Sequence, residues 1–143
     1  MSKKSLLELQ DFPLHSFDKL RYADTDRQGH VNNANFSTFL ETGRVEFIYQ
    51  ADLPILSEQT SFVVAAMDIS FLREVKWPGR VEIGTALRRI GNSSISVYQQ
   101  IFQYDQCVAS AETVIVQVDN TTGKAQPLTE PAKTTLRQWL LSN

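Results

Sequence analysis

The residues best equipped for chemistry fall in one run, Arg21-Tyr22-Ala23-Asp24-Thr25-Asp26-Arg27-Gln28-Gly29-His30-Val31-Asn32-Asn33-Ala34-Asn35-Phe36. Two carboxylates flank a single threonine where a strand should end. A glycine follows three residues after the second carboxylate, and Asn32-Asn33 leads straight into an apolar helical repeat. A helix N-terminus offers unpaired amides and a partial positive charge. Such amides can stabilise an oxyanion as it develops on a carbonyl. A carboxylate held nearby can act as a general base on water, or attack as a nucleophile. The layout suits attack on an acyl carbonyl without a serine triad. The rest of the chain holds no Gly-x-Ser-x-Gly elbow, no Gly-x-x-x-x-Gly-Lys loop and no dinucleotide fingerprint. Asp, Gly and Asn are also ordinary turn residues. The ordering of carboxylates, glycine, asparagines and helix favours the chemical reading over that plainer one.

The elements that must hold this run are legible on either side of it. Residues 12–22 read as a first strand entered after Pro13. From Asn33 the period changes. Phe36, Leu40, Gly43 and Phe47 lie at helical spacing, with Phe39 and Ala51 widening the stripe and Glu41, Arg44 and Glu46 falling off it. Asn32 or Asn33 suits the N-cap, and the helix should end near 51–54. Gly43 inside it costs about 1 kcal/mol relative to Ala, which points to a close backbone approach. Strand-like runs follow at 62–75, 80–90, 95–104 and 107–119. Trp77-Pro78-Gly79, the stretch 91–94 and the pair Asp105-Gln106 separate them. Residues 1–11 form an N-terminal extension. The tail 127–143 carries Leu136, Trp139 and Leu140 at the spacing of a brief helix. Strand, helix, then an antiparallel meander describe one α+β domain over 1–143. Long strands with apolar residues on both faces suggest a sheet curled round the helix, with edges that need a partner subunit.

Composition narrows the classes. The chain has 143 residues and a net charge of -2, so nothing global draws it to nucleic acid or an anionic membrane. Cys107 is its single cysteine, and with only His15 and His30 a zinc set of Cys and His is out of reach. Cys107 sits in an alternating apolar run and reads as a structural thiol. Glu8, Gln10 and Asp11 interrupt the apolar start, and no stretch approaches the ~18 residues of a membrane span. A soluble cytoplasmic protein without a metal is expected.

Residues 21–36 resemble the signature of hotdog-fold acyl-CoA thioesterases, nearest the 4-hydroxybenzoyl-CoA thioesterase-like branch. The likeness continues through 68–75, 88–94 and 109–119, and spans about 12–130. It implies a long central helix wrapped by a curved antiparallel β-sheet. It also implies homodimers joined edge to edge, commonly paired into homotetramers, with sites at the subunit interface. The substrate it implies is an acyl-CoA, whose coenzyme A arrives as part of the substrate rather than as a cofactor. By position, Asp26 matches the catalytic carboxylate, and the backbone N–H of Asn33 matches the donor to the thioester carbonyl. Gly29, His30, Val31 and Asn32 fall at substrate-binding positions. Arg88 and Arg89, with Ser93 and Ser94, are candidates for the CoA phosphates, against an even alternative of ordinary charge on an exposed strand. Strand alternation sends the two arginines to opposite faces, so one of them serves a given phosphate. Arg73, Lys76 and Arg80 are weaker candidates.

Asp24 reads as a structural carboxylate and Glu41 as a surface or interface one. His30 stands between turn packing and pocket lining, with proton transfer behind both. Phe36 occupies a place that is often tyrosine in that family. A thiolate leaving group with pKa near ~8.5 needs no strong general acid, so one carboxylate suffices. The alternative function is a non-catalytic acyl-CoA-binding module on the same fold.

Overall fold

Helix α1 (Ala34–Tyr49) is the element round which the others are arranged. The computed structural model describes residues 6–49 and 55–141. Phe36, Phe39, Leu40, Gly43 and Phe47 are buried along α1, as their spacing requires. Asn32 Oδ1 accepts from the Ala34 amide at 2.9 Å, and the Asn32 carbonyl accepts from Asn35 at 2.9 Å, which starts the helix. The expected stop near 51–54 lies outside the described residues.

Strands β1 (Leu14–Lys19), β2 (Thr60–Phe71), β3 (Arg80–Ile90), β4 (Ser94–Gln103) and β5 (Gln106–Asp119) form one antiparallel sheet in the order β1-β3-β4-β5-β2. The sheet curves about α1. Alternation puts Val81, Ile83 and Leu87 of β3 and Ile95, Val97 and Ile101 of β4 into the core. Short helix α2 (Glu130–Arg137) follows in the tail, capped by the Thr129 hydroxyl on Ala132 N and anchored by buried Leu136. On the other face of the sheet the N-terminal segment lies flat. The Phe12 ring covers Gly84 and stacks on Tyr98 at 5.9 Å, and the Gln100 amide clamps Leu7 through both its N–H and its carbonyl.

The approach expected at Gly43 is real. A Cβ there would lie 2.6 Å from Gln99 Nε2 and 2.8 Å from Thr85 Oγ1, while Gln99 Nε2 donates to the Leu40 carbonyl at 2.9 Å. Gly43→Ala therefore gains helix propensity but overpacks the seam and disturbs that bond. A net loss of about 1–2 kcal/mol is expected, read as a lower urea midpoint at unchanged slope.

Five features differ from the expectation. The strands after α1 are not a simple meander, because β2 pairs with β5 at the far edge of the sheet while β3 pairs with β1 and β4. The first strand stops at Lys19 rather than 22: Leu20 N donates to Gly79 O, and Tyr22–Asp24 coils into a 3-10 turn because Asp24 Oδ2 accepts from the Arg21 amide. β2 ends at Phe71, since the Leu72 and Arg73 amides both turn to the Val108 carbonyl. The β4–β5 hairpin turns at Tyr104-Asp105, not Asp105-Gln106; both residues have positive φ, 51° and 63°, as a two-residue turn of matching twist requires. Arg44, expected off the buried stripe, is only 6% exposed.

Cys107 is half-buried, and burial pushes its thiol up while hydrogen bonds with Gln100 and Ala109 pull the other way. That is a structural thiol, not an activated one. Among the described residues no helix is long and apolar enough to cross a membrane.

Candidate active site

The polar run folds into a tight loop between the 3-10 turn and α1. Thr25 and Val31 bridge across it, and Asp26 N donates to His30 O at 2.8 Å. Gly29 N returns to Asp26 O at 3.0 Å with φ +82°, a conformation that favours glycine. Val31 is buried and its amide donates to Val75 O at 2.8 Å, which pins the loop to the segment after β2. The Asp24 carbonyl accepts from Asn32 N at 2.9 Å and from Asn35 Nδ2 at 2.8 Å, fixing the loop against the first turn of α1.

The two carboxylates divide the work. Asp24 is 5% exposed, and its oxygens are taken by the Arg21 amide at 2.9 Å and the Arg21 guanidinium at 3.2 Å. It is structural, as expected. Asp26 is open to solvent in the single chain. Its Oδ1 accepts from the amides of Gln28 at 2.9 Å and His30 at 3.2 Å, which fixes the carboxylate, while Oδ2 has no partner among the described residues.

Asp26, His30 and Asn33 open on a groove of ≈ 470 Å³ whose other wall includes Phe71, Arg73 and Glu74. The Asn33 amide stands at the start of α1 and donates to nothing among the described residues. It is a free donor at the positive end of the helix. His30 Nε2 pairs with Glu74 Oε2 at 3.1 Å across the groove. The pair links the loop to the far wall. It spans residues distant in sequence, so no local pattern could have foretold it.

The loop thus brings together Asp26, Gly29, His30, Val31, Asn32 and Asn33. The phosphate candidates are elsewhere. Neither Arg88 nor Arg89 lines the groove: Phe71 of its wall is in register through β5 and β4 with Ile83, and the two arginines lie five and six residues further along β3, about 16–20 Å of strand. Ser93 and Ser94 close the hairpin beyond them. Arg88 pairs with Glu112 and sits 4.2 Å over the Tyr98 ring, while Arg89 is exposed. Arg73, ranked lower from sequence, lines the groove and forms no ion pair among the described residues. Among the described residues, no group of three or more His, Cys, Asp or Glu could hold a metal ion.

Comparison with known proteins bears on the family and the fold. The model of the thioesterase-like superfamily matches residues 20–140. The uncharacterized protein YsmA of Bacillus subtilis is 29% identical over 82% of this chain and 80% of its own length. The acyl-CoA thioester hydrolase YbgC of Escherichia coli is 26% identical over 71% of this chain and 78% of its own. Among solved structures, a Thermus thermophilus thioesterase complexed with coenzyme A and Zn superposes with a TM-score of 0.80. It is 26% identical and is covered over 96% of its length and 91% of this chain. A predicted thioesterase from Bacillus stearothermophilus superposes at 0.80 with 25% identity, over 91% of this chain and 98% of that one. The fold is the hotdog fold.

Proposed function

The chain belongs to the thioesterase-like superfamily and is a thioester hydrolase, and we propose that it converts acyl-CoA to free acid and coenzyme A through Asp26 and the Asn33 amide. The observation that carries this reading is one geometry. Among the described residues, a carboxylate with one oxygen fixed by turn amides and the other free shares a groove with an unpaired helix-start N–H.

In the proposed reaction the thioester carbonyl oxygen accepts from Asn33 N–H. Asp26 Oδ2 takes a proton from water, whose oxygen attacks the carbonyl carbon, or attacks that carbon itself and is then released by water. Negative charge gathers on the carbonyl oxygen under the helix N-terminus and returns to expel the CoA thiolate. Coenzyme A enters and leaves with the substrate, so the reaction requires no resident cofactor. The reading places the chain near the 4-hydroxybenzoyl-CoA thioesterase-like branch. Arg73 is the guanidinium on the groove wall that can meet a CoA phosphate. Arg88, Arg89, Ser93 and Ser94 reach a substrate only if a second subunit brings their end of the sheet to another groove. Release of free thiol from a panel of short, long and aromatic acyl-CoAs tests the activity. Tight binding of these esters with no thiol released favours the non-catalytic acyl-CoA-binding module instead.

The proposal includes a homodimer, or a homotetramer of such dimers. β2 is a long edge strand whose Val63, Val64 and Phe71 are about half exposed, the kind of edge that pairs with another chain. Two β2 edges meeting would place both grooves, which abut Phe71, at the subunit interface. Val64→Lys is expected to shift the mass measured by light scattering toward the monomer and to lower activity with it. A variant of unchanged mass sinks this mode of pairing.

A further inference from the structure

Among the described residues, and setting aside Arg88 and Glu112, which pair with each other, three buried polar atoms have no hydrogen-bond partner: Arg44 Nη1, Gln99 Oε1 and Thr113 Oγ1. Their placement follows from the helix and the sheet register. Thr42 bonds Asp18 of β1 at 3.1 Å, and Gly43 faces Thr85 of β3 and Gln99 of β4. One further step of about 100° therefore turns Arg44 toward β5 and β2. On β5, Ala111 pairs with Gln99 and Thr113 pairs with Val97, so Thr113 is the diagonal neighbour of Gln99 on the inner face. Thr113 also pairs with Met67 of β2.

This cluster lies in line with the groove. Asn33 and Arg44 are eleven residues apart, three turns to within about 20°, so they share one side of α1 about 16 Å apart along its axis. The Arg44 side chain leans back toward the helix N-terminus. Phe36 meets Phe71 at 5.2 Å beside the groove, and Ile69 and Met67 are the next inward residues of β2. From Phe71 to Met67 is about 13 Å of strand, and from Phe36 to Arg44 about 12 Å of helix. The seam between α1 and β2 thus begins at the site and ends at Met67, Thr113 and Arg44. Its gate residue, Met67, is unbranched and half-buried, and can move aside for a ligand.

A guanidinium is always charged, and a buried unpaired charge is among the least favourable arrangements in a fold. Burial pushes the Arg44 pKa down, and the Glu41 carboxylate one turn earlier opposes that, though Arg44 forms no ion pair among the described residues. We infer that the seam is the acyl channel and that Arg44 recognises a carboxylate at the far end of the acyl chain. The preferred substrates are then half-thioesters of dicarboxylic acids. This inference rests on the thioesterase reading above. Arg44 and the Thr113 hydroxyl donate to the terminal carboxylate. Gln99 Oε1 is free to take a remaining guanidinium N–H, its own N–H groups being held by Leu40 O and Thr85 Oγ1.

The test compares succinyl-, glutaryl-, adipoyl- and suberoyl-CoA with the methyl-ended ester of equal length, by thiol release. At the best length the wild type is expected to favour the carboxylate by roughly 10²-fold or more in kcat/KM, because a site built round a polar partner rejects its apolar analogue. Arg44→Met, apolar and of similar volume, is expected to collapse that ratio to below ~10. The Asp26→Asn protein, titrated calorimetrically with suberoyl- and octanoyl-CoA, should show the same preference in Kd without any change at Arg44. A wild-type ratio near one overturns the inference, and so does a ratio that survives Arg44→Met. A variant that loses both esters equally while its mass in solution changes also overturns it, and assigns Arg44 to subunit contact. Hydrolysis of methyl-ended esters that depends on Asp26 but shows no carboxylate preference sinks the inference alone. No thiol release from any ester removes it together with the thioesterase reading.

Discussion

Asp26→Asn is expected to lower kcat for acyl-CoA hydrolysis by about 10²–10⁴-fold while changing KM only a few-fold. The size follows from what the substitution removes and what it keeps. The side-chain oxygen of Asn can still accept from the Gln28 and His30 amides that hold Asp26 Oδ1 at 2.9 and 3.2 Å, so the loop keeps its shape. The second oxygen becomes an NH₂ group, which neither takes a proton from water nor attacks a carbonyl. Thermal unfolding of the variant should stay close to wild type. A large drop in stability would assign Asp26 to the fold instead. The neighbouring Asp24 gives the contrast. Its carboxylate is buried and spent on Arg21, so Asp24→Asn should appear first in stability and only through that in turnover.

The second large effect is expected at a backbone atom. Asn33→Pro deletes the N–H proposed to bind the carbonyl oxygen, at a position just before the helix where proline is tolerated. Asn33→Ala keeps that N–H, and the helix start keeps its side-chain bond from Asn32 Oδ1 to the Ala34 amide. The proline variant is therefore expected to turn over about 10²–10³-fold more slowly than the alanine variant, the cost of one oxyanion donor. Circular dichroism should show both helical. Equal rates for the two would remove the Asn33 amide from the reaction.

The parts of the fold that were legible in the sequence are those written in short-range patterns. The stripe Phe36-Leu40-Gly43-Phe47 gave α1, and Gly43 announced its close approach to β3 and β4 because a helix seldom keeps a glycine otherwise. β3 runs Arg80–Ile90, as its alternation required. What misled were local bonds that alternation does not encode. Asp24 folds back on the Arg21 amide and ends the strand phase early, and the Val108 carbonyl draws Leu72 and Arg73 out of β2. Tyr104 and Asp105 adopt positive φ without a glycine to advertise the turn.

The site shows the same division. Asp26, Gly29, His30 and Asn33 were found together because they are neighbours in sequence and stay so in the loop. Arg73 and Glu74 enter from the segment after β2 and depend on where that strand stops. Arg88 was a candidate for the CoA phosphates together with Arg89, Ser93 and Ser94, but in the single chain it pairs with Glu112 and sits over the Tyr98 ring. Arg44 falls off the apolar stripe, where a charged helix residue is ordinarily solvated. Only its burial without a hydrogen-bond partner for Nη1, which no helical repeat reveals, gave it a role.

The central claim is that Asp26 performs the acyl chemistry in this groove. It is tested most directly by single-turnover thiol release, with enzyme in excess over one acyl-CoA, for wild type and Asp26→Asn side by side. This isolates the chemical step from substrate binding and product release. The prediction is a single fast phase for wild type that releases one thiol per ester, and a phase slower by about 10²–10⁴-fold for the variant. Superimposable time courses for the two proteins would contradict it.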